Sequence, residues 1–519
     1  MEYLNSEKRE YLKKLLISSF IFTSLWCILA HGYGFMHSSF SHDVLNSVYA
    51  DKIEDWWKIM LGRPVAVMYR RLIRGSIASP WLCGCFAAMW IALSVFLTAE
   101  LFDVRSKWGL IILSGVFATN LTVTAMTATY VYELDIDMLA LFLACAAVFI
   151  WYRFSLKWIP LGCLLIAGVL GTYQSYVSVA IVLVIFICIK DLLSRKEFKT
   201  VLLSGVRAVC MLLVGALIYY LALKLTTKIL GYEYYNTGSY NSIYSATDYS
   251  GSLFSGLADS YRQVFYSFFD NGSFFVGSAA SVVNIILAAV GTVSLVVLFV
   301  SKEIRPASKI LTIVLIALIP LGMNISAVFT EDVHDLMKFA FWLIYAGIFF
   351  LTVIVQNRSL RFGSALKAIS GALVFIILIE NIITANSCYL KKELESDACL
   401  SLMTRVNYSI ENSEEYIPGE TELCFVGTSD LLNESIYGFE KYSLITGLDC
   451  SNPIPKSGSE IWYNAYKAYY RYIFNSSASF CDPDTWDSLQ HNSEVKEMPA
   501  YPSLGCMKLI NGVFVVKMG

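Results

Sequence analysis

The sequence predicts a mainly α-helical protein, a polytopic bundle of about eleven transmembrane helices followed by a small extracytoplasmic α/β domain. Three observations predict it. Of 519 residues, 56% are hydrophobic and only 15% charged, with a mean hydropathy of +0.58; one water-bounded core cannot cover that much apolar surface. Apolar runs of about twenty residues, enough to cross a hydrocarbon layer of about 30 Å, recur as far as residue 387 and then stop. Lysine and arginine favour every second connection between those runs.

The spans fall near 15–32, 79–101, 108–128, 137–152, 157–171, 174–191, 201–223, 276–300, 309–328, 338–355 and 367–387, the fifth and sixth parted only by Gly171, Thr172 and Tyr173. The first, Leu15 to Leu29 at its apolar core, follows Lys8, Arg9, Lys13 and Lys14, lacks a small-residue cleavage site and continues into His31 and Tyr33. It reads as a retained signal-anchor helix. The N-terminus and the connections holding Arg105 and Lys107, Arg153 and Lys157, Lys190 to Lys199, Lys302 to Lys309 and Arg358 to Lys367 are basic, whereas 129–136, 172–173 and 329–336 hold no lysine or arginine. The positive-inside rule then puts the N-terminus in the cytoplasm and, after eleven crossings, the tail outside, with two long outer loops at 33–78 and 224–275.

The chain therefore divides into a membrane domain, 1–387, and a tail domain, 388–519. In the first outer loop, Lys52 to Gly75 mixes Trp56, Trp57, Ile59, Met60 and Leu61 with Arg63, Arg70, Arg71 and Arg74, the pattern of an amphipathic interfacial helix broken near Pro64. The second holds a tyrosine- and serine-rich stretch, Tyr232 to Gly251, which reads either as an aromatic interfacial belt or as a sugar-contacting surface. In the tail, Lys391 to Asn412 and Ile461 to Asn475 predict helices, Glu422 to Gly427 a strand, and Met507 to Lys517 a hairpin around Asn511-Gly512. Closely recurring aromatics, Trp462, Tyr463, Tyr466, Tyr469, Tyr470 and Tyr472, cannot all share one helix face; core packing is the expected use, sugar stacking the alternative. Six cysteines in the tail permit disulfides without fixing a pairing.

A net charge of −2 gives no reason to expect a nucleic-acid partner. The chain lacks a phosphate-cradling glycine loop with lysine, a His-Glu-x-x-His pair and a Cys-x-x-Cys pair, which argues against ATP-driven chemistry and a tetrahedral zinc site. What remains is a set of acids and bases on the outer side: Asp43, Asp51, Glu54 and Asp55 before the loop arginines; Glu133, Asp135 and Asp137 at one span's start; Glu331, Asp332, His334, Asp335 and Lys338 at another. Loop charges are commonly just solvated, but ionisable groups at a span's start with almost no loop around them usually face a cavity or a partner. An enzyme using a lipid-phosphate donor needs a carboxylate to take the acceptor's proton and cations to receive the departing phosphate. Arginine serves the phosphate best, because its fork binds two oxygens at once.

The chain resembles the bacterial Gtr-type glucosyltransferases, which add glucosyl branches to surface polysaccharide such as O-antigen. The resemblance is carried by Ser41-His42-Asp43, by Gly62-Arg63-Pro64 where the family tends to have Gly-Arg-Trp, by Gly171-Thr172-Tyr173-Gln174-Ser175, by Cys424-Phe425-Val426-Gly427, and by Tyr501-Pro502-Ser503-Leu504-Gly505 with Val515-Val516-Lys517. It implies a GT-C type fold in a bacterial plasma membrane, an active site at the outer surface built from the first long loop, and inverting transfer of glucose from a polyprenyl-phosphate donor to a surface polysaccharide. No cofactor is implied, no metal site is expected, and a divalent metal is optional. The resemblance assigns Asp43 as the base, with Asp135 as a second catalytic acid; Arg63, Arg70, Arg71 and Lys338 as contacts to the donor phosphate; and Glu133, Tyr173 and Gln174 as substrate-binding groups. It also implies a donor synthase and a flippase as functional partners in the bilayer. The competing readings are a transporter or flippase of lipid-linked saccharide, a GT-C enzyme for another sugar, and a non-catalytic scaffold.

Overall fold

The computed structural model of the chain describes residues 6–37, 39–50, 52–231, 253–270, 273, 275, 277, 279–301, 304–328, 333–433, 435–444, 454 and 459–519. The tyrosine- and serine-rich stretch, Glu331, Asp332, Cys450 and the side chain of Trp462 lie outside the described residues. Nine described helices are long and apolar enough to cross a membrane, and two shorter apolar helices accompany them.

The first long helix, α1 (Ser6–Met36), leads into the short helices α2 (His42–Asn46), α3 (Lys52–Met60) and α4 (Pro64–Tyr69) of the first loop. Then come α5 (Pro80–Leu101), α6 (Lys107–Ala118), α7 (Leu121–Thr129), α8 (Val131–Arg153), α9 (Ile159–Thr172), α10 (Val177–Leu193) and α11 (Phe198–Leu230). The second half holds α12 (Leu253–Phe269), α13 (Ala280–Val300), α14 (Pro306–Ala317), α15 (Ile319–Met323), α16 (Phe339–Asn357) and α17 (Gly363–Glu411). Small residues let backbones approach, which matters in lipid because no hydrophobic force drives apolar helices together there; a Cβ on Gly215 of α11 would meet Ile166 of α9 at 2.7 Å. Outward apolar side chains such as Leu203, Leu213 and Val282 stay exposed, as a lipid-facing surface requires.

Two spans differ from the expectation of unbroken helices. The run near 108–128 is broken: Asn120 caps α7 by accepting from Val123 N at 3.1 Å and donates to the carbonyls of Val116 and Phe117, so one amide side chain satisfies both sides of the break. Near 309–328, Pro320 lacks the N–H that would continue α14, and the run breaks at Leu318.

The tail follows the expected pattern with one difference. No glycine or proline interrupts residues 372–411, so the last span and the predicted tail helix are one helix, α17, of 49 residues. Beyond it, β1 (Glu422–Val426), β2 (Met507–Ile510) and β3 (Val513–Lys517) form a sheet in the order β1-β3-β2, with β1 parallel and β2 antiparallel to β3. The turn joining β2 to β3 uses positive φ at Asn511 and Gly512, the geometry that a two-residue hairpin loop needs. Helices α18 (Ser459–Tyr472), α19 (Pro483–His491) and α20 (Ser493–Glu497) complete the layer. Tyr463, Tyr466, Tyr469 and Tyr470 are buried, with Phe425 stacked on Tyr466, so this tyrosine run packs the tail core instead of offering itself to sugar. Leu45 of α2 belongs to that same core, and α18 rests on α2.

Candidate functional site

Charge separates the two ends of the bundle. One end is basic, with Arg153, Lys190, Lys196 and Arg358 around Asp103 and Asp191. At the other, the first loop folds down onto the ends of α7, α8 and α9. A bridge between Tyr49 and Ile77 closes the loop, with Ala50 N donating to Ser76 O and Ala78 N to Val48 O, both at 2.9 Å.

Inside the closed loop, the amphipathic stretch breaks at Pro64 as expected, but Lys58, Arg70 and Arg74 turn into the protein while Arg71 stays exposed. Proline at the first turn of α4 costs no hydrogen bond, and Gly62 just before it takes φ +78°. A five-residue wide turn, Arg70–Arg74, ends the segment. Arg70 is 1% and Arg74 6% exposed, so neither lies along a lipid headgroup surface. Asp55 receives Arg70 at 2.5 Å on one oxygen and Arg71 Nε at 2.7 Å on the other.

The start of α8 supplies the acids. Glu133 and Asp137 are four residues apart and share a face, and Asp135 looks the other way. Lys58, 5% exposed, sits 3.2 Å from Glu133 and 3.6 Å from Glu54, with the Tyr132 ring 5.4 Å away. Asp137 faces Arg63 and Lys58. On the opposite side Arg74 Nε stands 3.6 Å from Asp135, beyond hydrogen-bond length, beside Tyr69. Burial and the neighbouring Asp135 carboxylate push the Tyr69 phenol above its ordinary value. Among the described residues, the Nε atoms of Arg63, Arg70 and Arg74 are buried without a hydrogen-bond partner, an arrangement that costs free energy unless something polar arrives.

Arg63 lies over the Tyr173 ring at 4.3 Å. Gln174 donates to Leu61 O at 2.9 Å and Gly62 O at 3.3 Å, and Tyr219 donates to Gly62 O at 2.8 Å. The amide of Gln174 is thus occupied in holding the loop backbone that presents Arg63. Glycine is required at 171, where a Cβ would meet Val65 of α4 at 2.7 Å.

Seven of the nine singled-out residues, Arg63, Arg70, Arg71, Glu133, Asp135, Tyr173 and Gln174, come together in this cluster. Asp43 stands at its edge, half-buried in the first turn of α2 and facing Tyr132 and Lys392. Ser41 fixes that helix, donating to Thr129 O at 2.8 Å and capping Val44 N. Lys338 is farther off, paired with Asp335 at 2.7 Å and 5.6 Å from the Phe275 ring. An aromatic run through Phe339, Tyr176 and Tyr173 joins its neighbourhood to Arg63. Below Phe275, a cavity of about 500 Å³ runs between α10, α12, α13 and α16, lined almost wholly by apolar side chains from Phe268 and Tyr345 near the loop end to Lys190 near the basic end.

Sequence reasoning missed Lys58, Tyr69, Tyr132, Tyr219 and Lys392. Lys58 alone left a signal, as a lone cation among Trp57, Ile59 and Met60 and four residues after Glu54. The profile of the glucosyl transferase GtrII family matches residues 32–356, more than half of the chain and all of this cluster. No curated protein and no solved structure matches significantly.

Proposed function

Since this chain belongs to the glucosyl transferase GtrII family, we propose that this membrane glucosyltransferase moves glucose from a polyprenyl-phosphate donor to a hydroxyl of a cell-surface polysaccharide. In this reading the fold is GT-C type, the membrane is the bacterial plasma membrane, and the loop end and the tail face outward. The observation that carries it is the cluster of Lys58, Arg63, Arg70 and Arg74 on the first loop, in which the buried, orphaned Nε atoms of the three arginines favour an anionic ligand. The apolar cavity beneath Phe275 suits an isoprenoid chain, and it supports a lipid-linked donor over a water-soluble one.

The chemistry follows from these groups. Asp43 accepts the proton of the acceptor hydroxyl as its oxygen attacks the anomeric carbon. The bond from that carbon to the phosphate oxygen breaks on the opposite face, and configuration inverts. The leaving polyprenyl phosphate keeps the bonding electrons, and Arg63 and Lys338 offset its charge. Glu133 and Asp135 orient the acceptor and hold the cations in place. Donor synthesis and flipping fall to other proteins.

The test is transfer of labelled glucose from synthetic polyprenyl-phosphate glucose by purified protein to polysaccharide from the source cells. Wild-type transfer that Asp43→Asn abolishes supports both the donor class and the base. Transfer that survives in Asp43→Asn removes Asp43 from the role, and failure with every polyprenyl-phosphate sugar removes the donor class.

A further inference from the structure

Helix α17 leaves the bundle beside the first loop and carries five ionisable side chains in a row, Lys391, Lys392, Glu393, Glu395 and Asp397, interrupted by Leu394 and Ser396. Two of these are buried lysines. Lys391 is 0% exposed and ion-paired one turn on with Glu395 at 2.9 Å. Glu393 turns to the end of α1, where it accepts from the Tyr33 hydroxyl and stands 3.7 Å from His37. Lys392 is different. It is 3% exposed, and its ammonium donates to Ser39 O at 3.1 Å and also to Ala128 O.

Those two carbonyls explain its place. Ser39 lies at the start of the first loop, two residues before the cap of α2, and Ala128 is in the last turn of α7, where carbonyls lack helical partners and favour a cation. One ammonium therefore pins the loop's start to the end of α7, beside the parallel tie from Ser41 to Thr129. A buried ammonium is costly unless opposite charge stands nearby. The charged groups facing Lys392 are Asp43 of α2, and Glu395 and Lys391 of its own helix. Glu395 is already held by Lys391, which leaves Asp43 as the acid from another element.

We propose that Lys392 is a positioning residue for transfer, a buried side chain that pins the start of the first loop to the end of α7 and thereby fixes α2 and the Asp43 it carries. Family residues 32–356 thereby receive a working part from beyond their own boundary. Placing α2 in the tail core through Leu45 serves the same end. The inference rests on Asp43 being the base.

The experiment is glucosyl transfer at neutral pH, read as kcat and donor KM separately. Lys392→Met removes both ties to the carbonyls of Ser39 and Ala128, so kcat falls about tenfold or more with the donor KM nearly unchanged. Lys392→Arg keeps a donor at that place and restores kcat to within about threefold of wild type. Should the Met variant fail to accumulate in membranes, Lys392→Gln keeps a donor of shorter reach and lowers kcat in the same way. A Met or Gln variant with wild-type kcat overturns the proposal, as does a loss that falls wholly on the donor KM. Asp43→Asn separates the two failures. If it is inactive and kcat is unchanged in the Lys392 variants, the base stands and the positioning role falls; if it transfers glucose normally, the base falls and Lys392 has nothing to position.

Discussion

The two ends of the bundle use the same residue types differently. At the basic end, Asp103 takes Arg153 on one oxygen at 2.9 Å and Lys190 on the other at 3.0 Å, and Asp191 takes Lys196 at 2.9 Å and the Tyr152 hydroxyl at 2.8 Å. These ion pairs are satisfied, and the Asp103 side chain is 48% exposed to solvent. At the loop end, Lys58, Arg70 and Arg74 are dry and the bonding is incomplete, with Arg74 and Asp135 facing each other at 3.6 Å and three arginine Nε atoms unused. A closed network ties helices together. An open one in a dry place stores unspent hydrogen bonds that a charged ligand can complete.

The contrast yields tests, beginning with the largest effect. Asp43→Asn keeps shape and removes the base, so transfer falls about 10² to 10⁴-fold while the protein still melts near the wild-type temperature; a small loss would end the distinction between a chemical and a structural end. Arg63→Ala removes a charge-assisted contact worth about 1.5–3 kcal/mol, which predicts a donor KM about ten- to a hundredfold higher. Unchanged donor binding would make Arg63 part of a closed network after all. Gly171→Ala drives a methyl into Val65 and lifts α4 from α9, so thermal melting in detergent reports a loss of about 1–3 kcal/mol along with weaker transfer.

At the basic end the effects shrink. Asp103→Asn leaves transfer within about twofold and changes stability by less than about 1 kcal/mol. Burial works to raise the Asp103 carboxyl, but Lys190 and Arg153 outweigh it, and the group rests below its ordinary value. A depressed folded value means that its contribution is complete above the ordinary aspartate range and fades as pH falls through the folded one. Melting temperatures of wild type and Asp103→Asn therefore converge on acidification. Convergence at alkaline pH would contradict the assignment.

How far the sequence reaches follows the same division. Apolar length and lysine placement announce helices, loops and the hairpin, because each depends on local pattern alone. The break at Asn120 carries its cap residue in plain view, yet it lies inside an apolar run that looks continuous. At the site, the loop arginines and the acids of α8 are legible as unusual charges near span ends. Their wiring is not, since Lys58 meets Glu133 across 75 residues and Lys392 meets Ala128 across 264. No periodicity encodes such pairings. The core packing expected of the tail tyrosines holds, but how many faces of α18 are covered depends on β1, α2 and α17, which arrive from distant parts of the chain.

The uninterrupted helix α17 adds a constraint of phase. Each residue of an α-helix advances about 1.5 Å and turns about 100°. Inserting or deleting one residue between the span and Lys392 would swing the ammonium about a quarter turn away from Ser39 and Ala128, while every local side chain kept its identity. The number of residues from Gly363 to Lys392 is therefore as fixed a quantity as any side chain in the site, and a one-residue change in it amounts to a mutation of all the contacts beyond.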